Sequence, residues 1–179
     1  TVAVLVRHEE SCCKAVMDAQ GIPALVQLLQ RGGGSLAAHS AASALACLAA
    51  DDRLGSDAQR LAREAGALEA LLPLLDGVLG GNAAQAATAG AATSALADLC
   101  KGSSASATQL RSLGALQSIV GLLSCPHAPP ALKTHACEAI GACAANDVSA
   151  CDEVRRLGAL PLLAKLAKGG TKQVAAAAA

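Results

Sequence analysis

The sequence predicts an all-α solenoid of three full three-helix units with partial units on either side, and three observations carry that prediction. The first is composition: 45 of the 179 residues are Ala, 28 are Leu, and there is no Phe, Trp or Tyr. Ala and Leu head the helix-propensity scale, whereas strands draw on aromatic and β-branched side chains. The second is a phrase that recurs four times, beginning at Gly21, Gly66, Gly114 and Gly158 and running through a leucine-rich stretch, with its glycines 45, 48 and 44 residues apart. The third is a phrase that follows in step: Ala44 to Ala49, Ala95 to Cys100 and Ala139 to Ala144 begin 23, 29 and 25 residues after the first three glycines. A period in the mid-forties with helical patterning is that of stacked helical repeats.

Each unit parses into three helices. The first is short, expected at Cys12 to Ala19 behind Ser11, Ala58 to Ala65 behind Asp57, Ala107 to Leu113 behind Ser106, and Ala150 to Leu157 behind Ser149. Small oxygen-bearing side chains ahead of an apolar run are N-cap signals, and Ser149 with Asp152 has the spacing of a capping pair. The phrase glycine supplies the left-handed residue that stops this helix. The second helix is the leucine phrase, with Pro23 in its first turn, where a missing N–H costs nothing. Breaks at 31–35, 76–82 and 124–130 fall at one point of the unit, which places their length differences on one edge of the stack. The third helix, long and alanine-rich, is expected at Leu36 to Ala50, Ala83 to Cys100 and Ala131 to Ala145. Leu25, Leu28, Leu45, Leu48, Leu71, Leu74, Leu96, Leu99, Leu116, Ile119, Ile140, Leu160 and Leu163 form the expected core. Residues 1–179 read as a single array: 1–10 the tail of a preceding unit, 11–50, 51–100 and 101–145 full units, and 146–179 a partial one. Because both ends fall inside elements, the chain reads as a piece of a longer protein.

Charge and composition narrow the function. Lys plus Arg and Asp plus Glu are 14 each, so the chain lacks the basic footprint that phosphate binding needs, and it lacks aromatic platforms for bases. A nucleic-acid partner is not expected. No run of about 18 apolar residues is present to suggest membrane insertion, and the apolar stretch Thr1 to Val6 is too short for a signal-peptide core. Eight cysteines, Cys12, Cys13, Cys47, Cys100, Cys125, Cys137, Cys143 and Cys151, show no CxxC pair and read as reduced core thiols of a cytoplasmic protein. Cys125, His127, His135, Cys137 and Cys143 are the densest Cys/His concentration, but their spacing is irregular, and core packing explains them better than zinc. A cysteine paired with His39 or His135 would lack an orienting group and an oxyanion donor, so no catalytic residue is assigned. Gly32 to Gly34 follow no strand and lack the lysine of a phosphate loop. Neither an enzyme, a cofactor nor a metal is expected.

The glycine phrase, G-[AI]-x-x-L-V-x-L-L in outline, and the run Ala41-Ala42-Ser43-Ala44-Leu45-Ala46-Cys47-Leu48-Ala49 together resemble the armadillo repeat family over essentially the whole chain. The resemblance implies a right-handed superhelix whose third helices line a concave groove that holds a partner segment. In the family's nuclear-import receptors that groove carries Asn and, one turn earlier, Trp. Here those places hold Cys47, Asp98 and Ala142, and Ser43, Ser94 and Glu138. Basic rows of the catenin type are missing as well. In style the phrases are more similar to armadillo proteins of the ciliary axoneme and the vacuolar-anchor group, which implies a cytoplasmic scaffold in a cytoskeletal or axonemal assembly. The alternative is a substrate-recognition segment of a larger enzyme, such as an armadillo-containing ubiquitin ligase.

On helical spacing the groove is expected to comprise His39, Ser40, Ser43 and Cys47, then Gly90, Ala91, Ser94 and Asp98, then Thr134, His135, Glu138 and Ala142. It is small-residue and faintly acidic, and neither Asp98 nor Glu138 has an evident basic mate on its own helix. The expected partner is a helical or extended protein segment carrying some basic residues.

Overall fold

The structure is a computed structural model that describes residues 10–31, 35–76, 83–169 and 172–178. The Thr1 to Val6 stretch, Gly32 to Gly34 and the break at 77–82 lie outside the described residues. The helices follow in triplets. The first is α1 (Glu10–Asp18), α2 (Gly21–Arg31) and α3 (Leu36–Ala49). The second is α4 (Gly55–Glu64), α5 (Ala67–Leu71), continued by a 3₁₀ turn Leu72–Leu74, and α6 (Ala83–Cys100). Then come α7 (Ser104–Ser112), α8 (Ala115–Ser124) and α9 (Pro130–Asn146), and finally α10 (Val148–Arg156), α11 (Ala159–Gly169) and α12 (Lys172–Ala178). Among the described residues there is no strand, and no helix is long and apolar enough to cross a membrane. The third helices stand within a residue of their expected bounds.

The first helices begin two or three residues earlier than expected, and ahead of α4, α7 and α10 polar side chains hold the turns that precede the apolar run. Asp51 Oδ1 accepts from the N–H groups of Arg53 (2.9 Å) and Leu54 (2.8 Å) just before α4. Ser103 Oγ accepts from Ser106 N–H (3.3 Å) and caps α7, while Asp147 Oδ1 accepts from Ser149 N–H (2.9 Å) and caps α10. Asp57, Ser106 and Ser149 therefore lie inside the first turns of their helices, as Ser11 does in α1, and Asp152 meets Arg155 (2.9 Å) instead of completing a capping pair. Apolar periodicity starts the count at the first buried residue; the cap sits further out.

The left-handed stop is at Gly66, Gly114 and Gly158, with φ of 80°, 71° and 71°, but in the first repeat it falls on Gln20 (φ 52°). Gly21 instead opens α2, where an added Cβ would meet Val16 Cγ1 at 2.7 Å and Val16 O at 2.9 Å. The repeats thus align from Gln20, one residue ahead of the glycine phrase. Ile22 then matches Leu68, Leu116 and Leu160, and Leu28 matches Leu74, Leu122 and Leu166.

That alignment explains three departures from the expected core. Leu28 is 44% exposed although Leu74 and Leu122 are buried, and Leu160 is 52% exposed although Ile22, Leu68 and Leu116 are buried. Leu163 is half-buried where Leu25, Leu71 and Ile119 are buried. Each place opens only in the first or last described repeat, so its cover comes from an adjacent repeat and not from its own. The other expected core residues are buried.

The third helices form the spine, with α6 packed between α3 and α9. Ala38, Ala41, Ala42 and Ala44 on α3 and Ala89, Ala92 and Ala95 on α6 are sealed, and their small side chains let the axes approach while Leu45, Leu48, Leu96 and Leu99 fill the volume behind. The buried hydroxyls of Thr88 and Thr93 donate to the carbonyls of Ala84 (3.0 Å) and Ala89 (2.7 Å), which satisfies them within α6. Polar links also join successive repeats. Gln59 Nε2 on α4 donates to Ala49 O (3.3 Å), Asp98 O (2.9 Å) and Lys101 O (3.1 Å), so one amide gathers carbonyls from the ends of α3 and α6. Asn146 Nδ2 donates to Cys100 O (3.2 Å), Gln109 Nε2 to Glu69 Oε1 (2.7 Å), and Arg111 Nε to Asp147 Oδ2 (2.6 Å). The Arg111 hydrogen bond, helped by main-chain N–H groups, holds the Asp147 carboxyl below its ordinary range.

Candidate concave binding groove

The exposed faces of α3, α6 and α9 enclose a cavity of about 590 Å³. From α3 it receives His39, Ser43 and Cys47, spaced four residues apart on one face. Its floor is α6, through Ala83, Ala86, Ala87, Gly90, Ala91, Ser94 and Asp98. Pro129, Ala131, Leu132 and His135 close the far side. A second cavity of about 550 Å³, lined by Ala131, Thr134, His135, Glu138, Ala176 and Ala177, continues it between α9 and α12. Ten of the twelve residues expected on the groove line one of these cavities. Ser40 and Ala142 do not; Ala142 packs partly against the core, and its carbonyl accepts from Asn146 Nδ2 (2.7 Å).

The sequence reading stopped the α6 face at Gly90 and so missed Ala83, Ala86 and Ala87. The signal was present, since stepping back from Gly90 by three and four residues reaches Ala87 and Ala86, and a further step of the same kind reaches Ala83. Pro129, Ala131 and Leu132 enter through the start of α9, which the spacing of the second phrase does not reveal.

The two groove carboxylates differ. Glu138 has a mate after all: its Oε2 lies 3.1 Å from His135 Nδ1, one helical turn away. Asp98 makes no side-chain hydrogen bond or ion pair among the described residues and is half-buried. Burial pushes its carboxyl above the ordinary range, and the negative charge of Glu138 adds to the rise, against the opposing charges of Lys101 and His135. It stands in the last turn of α6, where the helix dipole also disfavours an anion. His39 carries a further uncompensated group, since its Nδ1 is shut from solvent without a hydrogen-bond partner among the described residues.

Two buried thiols of the third helices, Cys100 and Cys137, are shifted away from reactivity. The hydrogen bond that the Cys100 S–H donates to the neighbouring Cys143, together with burial, pushes the Cys100 thiol far up, and burial with the Glu138 charge pushes Cys137 up to about 11. Such groups stay protonated, the opposite of what a nucleophile requires. None of the described cysteines is in a disulfide, and among the described residues no three His, Cys, Asp or Glu side chains converge as a metal-holding group.

A chain of stacked three-helix repeats with a groove along its third helices is an armadillo-type α-solenoid, and comparison with solved structures agrees. An engineered protein is 28% identical, with a TM-score of 0.84 over 99% of this chain and 68% of its own. A designed armadillo repeat protein is 26% identical, with a TM-score of 0.83 over 99% of this chain and 69% of its own. Another designed armadillo repeat protein, in complex with the peptide (KR)4, is 22% identical with a TM-score of 0.80 over the same shares, 99% and 69%. No protein-family profile and no curated protein matches the sequence.

Proposed function

We propose that the chain is a non-catalytic interaction scaffold that receives a basic protein segment along the groove of α3, α6 and α9. The observation that carries this reading is the half-buried Asp98 carboxylate, without a hydrogen-bond or ion-pair partner among the described residues, standing on the floor of a cavity open along the third helices. Designed armadillo neighbours lend support, one described as computationally designed for modular peptide recognition and one complexed with (KR)4. In this reading 11–50, 51–100 and 101–145 act as repeat modules of one array. The phrase style favours a cytoplasmic setting in a cytoskeletal or axonemal assembly. Binding is expected to weaken as salt rises, because the attraction is between exposed or half-exposed charges.

Crosslinking mass spectrometry on the native assembly tests the groove. Lys101, just beyond α6, and Lys133 on α9 should crosslink to the partner, and a chain carrying Ser94→Arg and Asp98→Lys should lose those crosslinks with its helical circular dichroism unchanged. Recovery of the same partners and crosslinks by the double variant would exclude the groove and point to the loops between second and third helices.

A further inference from the structure

We infer that the groove is built for an α-helix, one with a face of small residues and a Lys or Arg directed at Asp98; the inference rests on the groove reading above and specifies the form of its occupant.

The argument begins with main-chain hydrogen bonding. An extended segment brings one N–H and one C=O per residue, and those it buries need partners. Only five of the residues lining the main cavity, His39, Ser43, Ser94, Asp98 and His135, end in a nitrogen- or oxygen-bearing side chain, and none of them is an amide. That supply cannot serve both donors and acceptors along a buried strand. A helix satisfies its main chain internally and asks only for shape and a few side-chain contacts.

The floor has the matching shape. Ala83, Ala87, Gly90 and Ser94 follow one another at helical spacing, and a Cβ built on Gly90 meets nothing within 4 Å. A wall without long side chains lets a second helix approach closely, which favours small residues on the partner too. Packed helix axes lie roughly 8–10 Å apart, so crossing α3, α6 and α9 takes a span of about 20 Å, or about 14 residues of helix.

Charge sets the anchor. Asp98 lies where its own helix opposes it; among the described residues it makes no side-chain hydrogen bond or ion pair, and the charges of Lys101 and His135, which offset that of Glu138, do not cancel the cost of its burial. A positive side chain from outside relieves that cost, whereas Glu138 already has His135. The contact therefore centres on Asp98.

Two matched 16-residue peptides of Ala and Lys in equal proportion to each other test this, one all-L and helical, the other with alternating D residues that prevent helix formation, each titrated into the intact chain by calorimetry. The helical peptide should bind at least about tenfold more tightly, and Asp98→Asn should weaken it by about tenfold while Glu138→Gln changes it less. Equal or tighter binding of the non-helical peptide, still sensitive to Asp98→Asn, would overturn the helix and leave the groove reading intact. Binding of either peptide that ignores Asp98→Asn and Ser94→Arg, or no binding by either, would overturn both. A chain that dimerises through the groove, with dimerisation abolished by Ser94→Arg, would overturn the separate basic helix as occupant.

Discussion

Leu116 in α8 and Leu160 in α11 hold the same place in successive second helices, yet Leu116 is fully buried and Leu160 is 52% exposed. Their local sequences are alike, Gly-Ala-Leu in both, and both follow a left-handed glycine with φ of 71°. The difference is the repeat stacked on top. Leu28, exposed against buried Leu74 and Leu122, shows the same effect at the other end. Burial in this fold is thus a property of junctions, and a side chain's energetic weight follows from the number of repeats it touches.

The comparison breaks if the two leucines respond alike. Leu116→Ala, or Leu96→Ala in the enclosed α6, should cost about 2–5 kcal/mol of stability, whereas Leu160→Ala should cost less than about 1 kcal/mol because little apolar surface leaves cover. Denaturant midpoints measure both. Hydrogen exchange sharpens the point: Leu96→Ala should loosen the repeats on each side of α6, and a change confined to α6 would contradict nearest-neighbour stacking.

A smaller effect separates the stops. Gly114→Ala should cost about 1–2 kcal/mol through its left-handed backbone alone, since a Cβ there meets nothing within 4 Å. In the reverse direction, Gln20→Gly should stabilise by about 0.5–1 kcal/mol by relieving φ of 52° on a side-chain-bearing residue. Thermal unfolding of both variants tests the realignment of the first repeat, and equal sensitivity at Gly21 and Gly114 to alanine for backbone reasons would undo it.

The smallest effect lies in the groove. The Asp98 carboxyl is raised in the folded chain, so the native state holds its proton more tightly than the unfolded one, and stability falls as pH rises through the folded value. Asp98→Asn should remove that slope and stabilise the chain near neutral pH by less than about 1 kcal/mol. Unfolding measured from pH 4 to 7 checks the sign, and a variant less stable than the parent at pH 7 would mean that Asp98 has a favourable partner in solution.

Much of this was legible because helical repeats write each face several times. The third helices lie within a residue of where the Ala-Leu phrases put them, and ten residues that a spacing of three and four puts on one face line the two cavities. What escaped depended on single instances. Gln20 does the work of a glycine, so aligning on Gly21 shifted the first repeat by one. Leu160 carries the same letters as Leu116, and what distinguishes them among the described residues is the repeat packed over Leu116. The caps at Ser103 and Asp147 lie outside the apolar pattern, and the His135–Glu138 pairing depends on rotamers that a spacing argument does not reach.

The Gln59 amide, which holds Ala49 O, Asp98 O and Lys101 O together, has a mechanical consequence. It ties the trailing ends of α3 and α6 together through their carbonyls, and both helices line the groove. Gln59 therefore acts as a drawstring between the two helices. Glu in its place would present only acceptors to three carbonyl oxygens, and their repulsion would splay the two helices apart at the end where Asp98 stands. The spacing of two groove helices thus depends on a residue that does not itself line the groove.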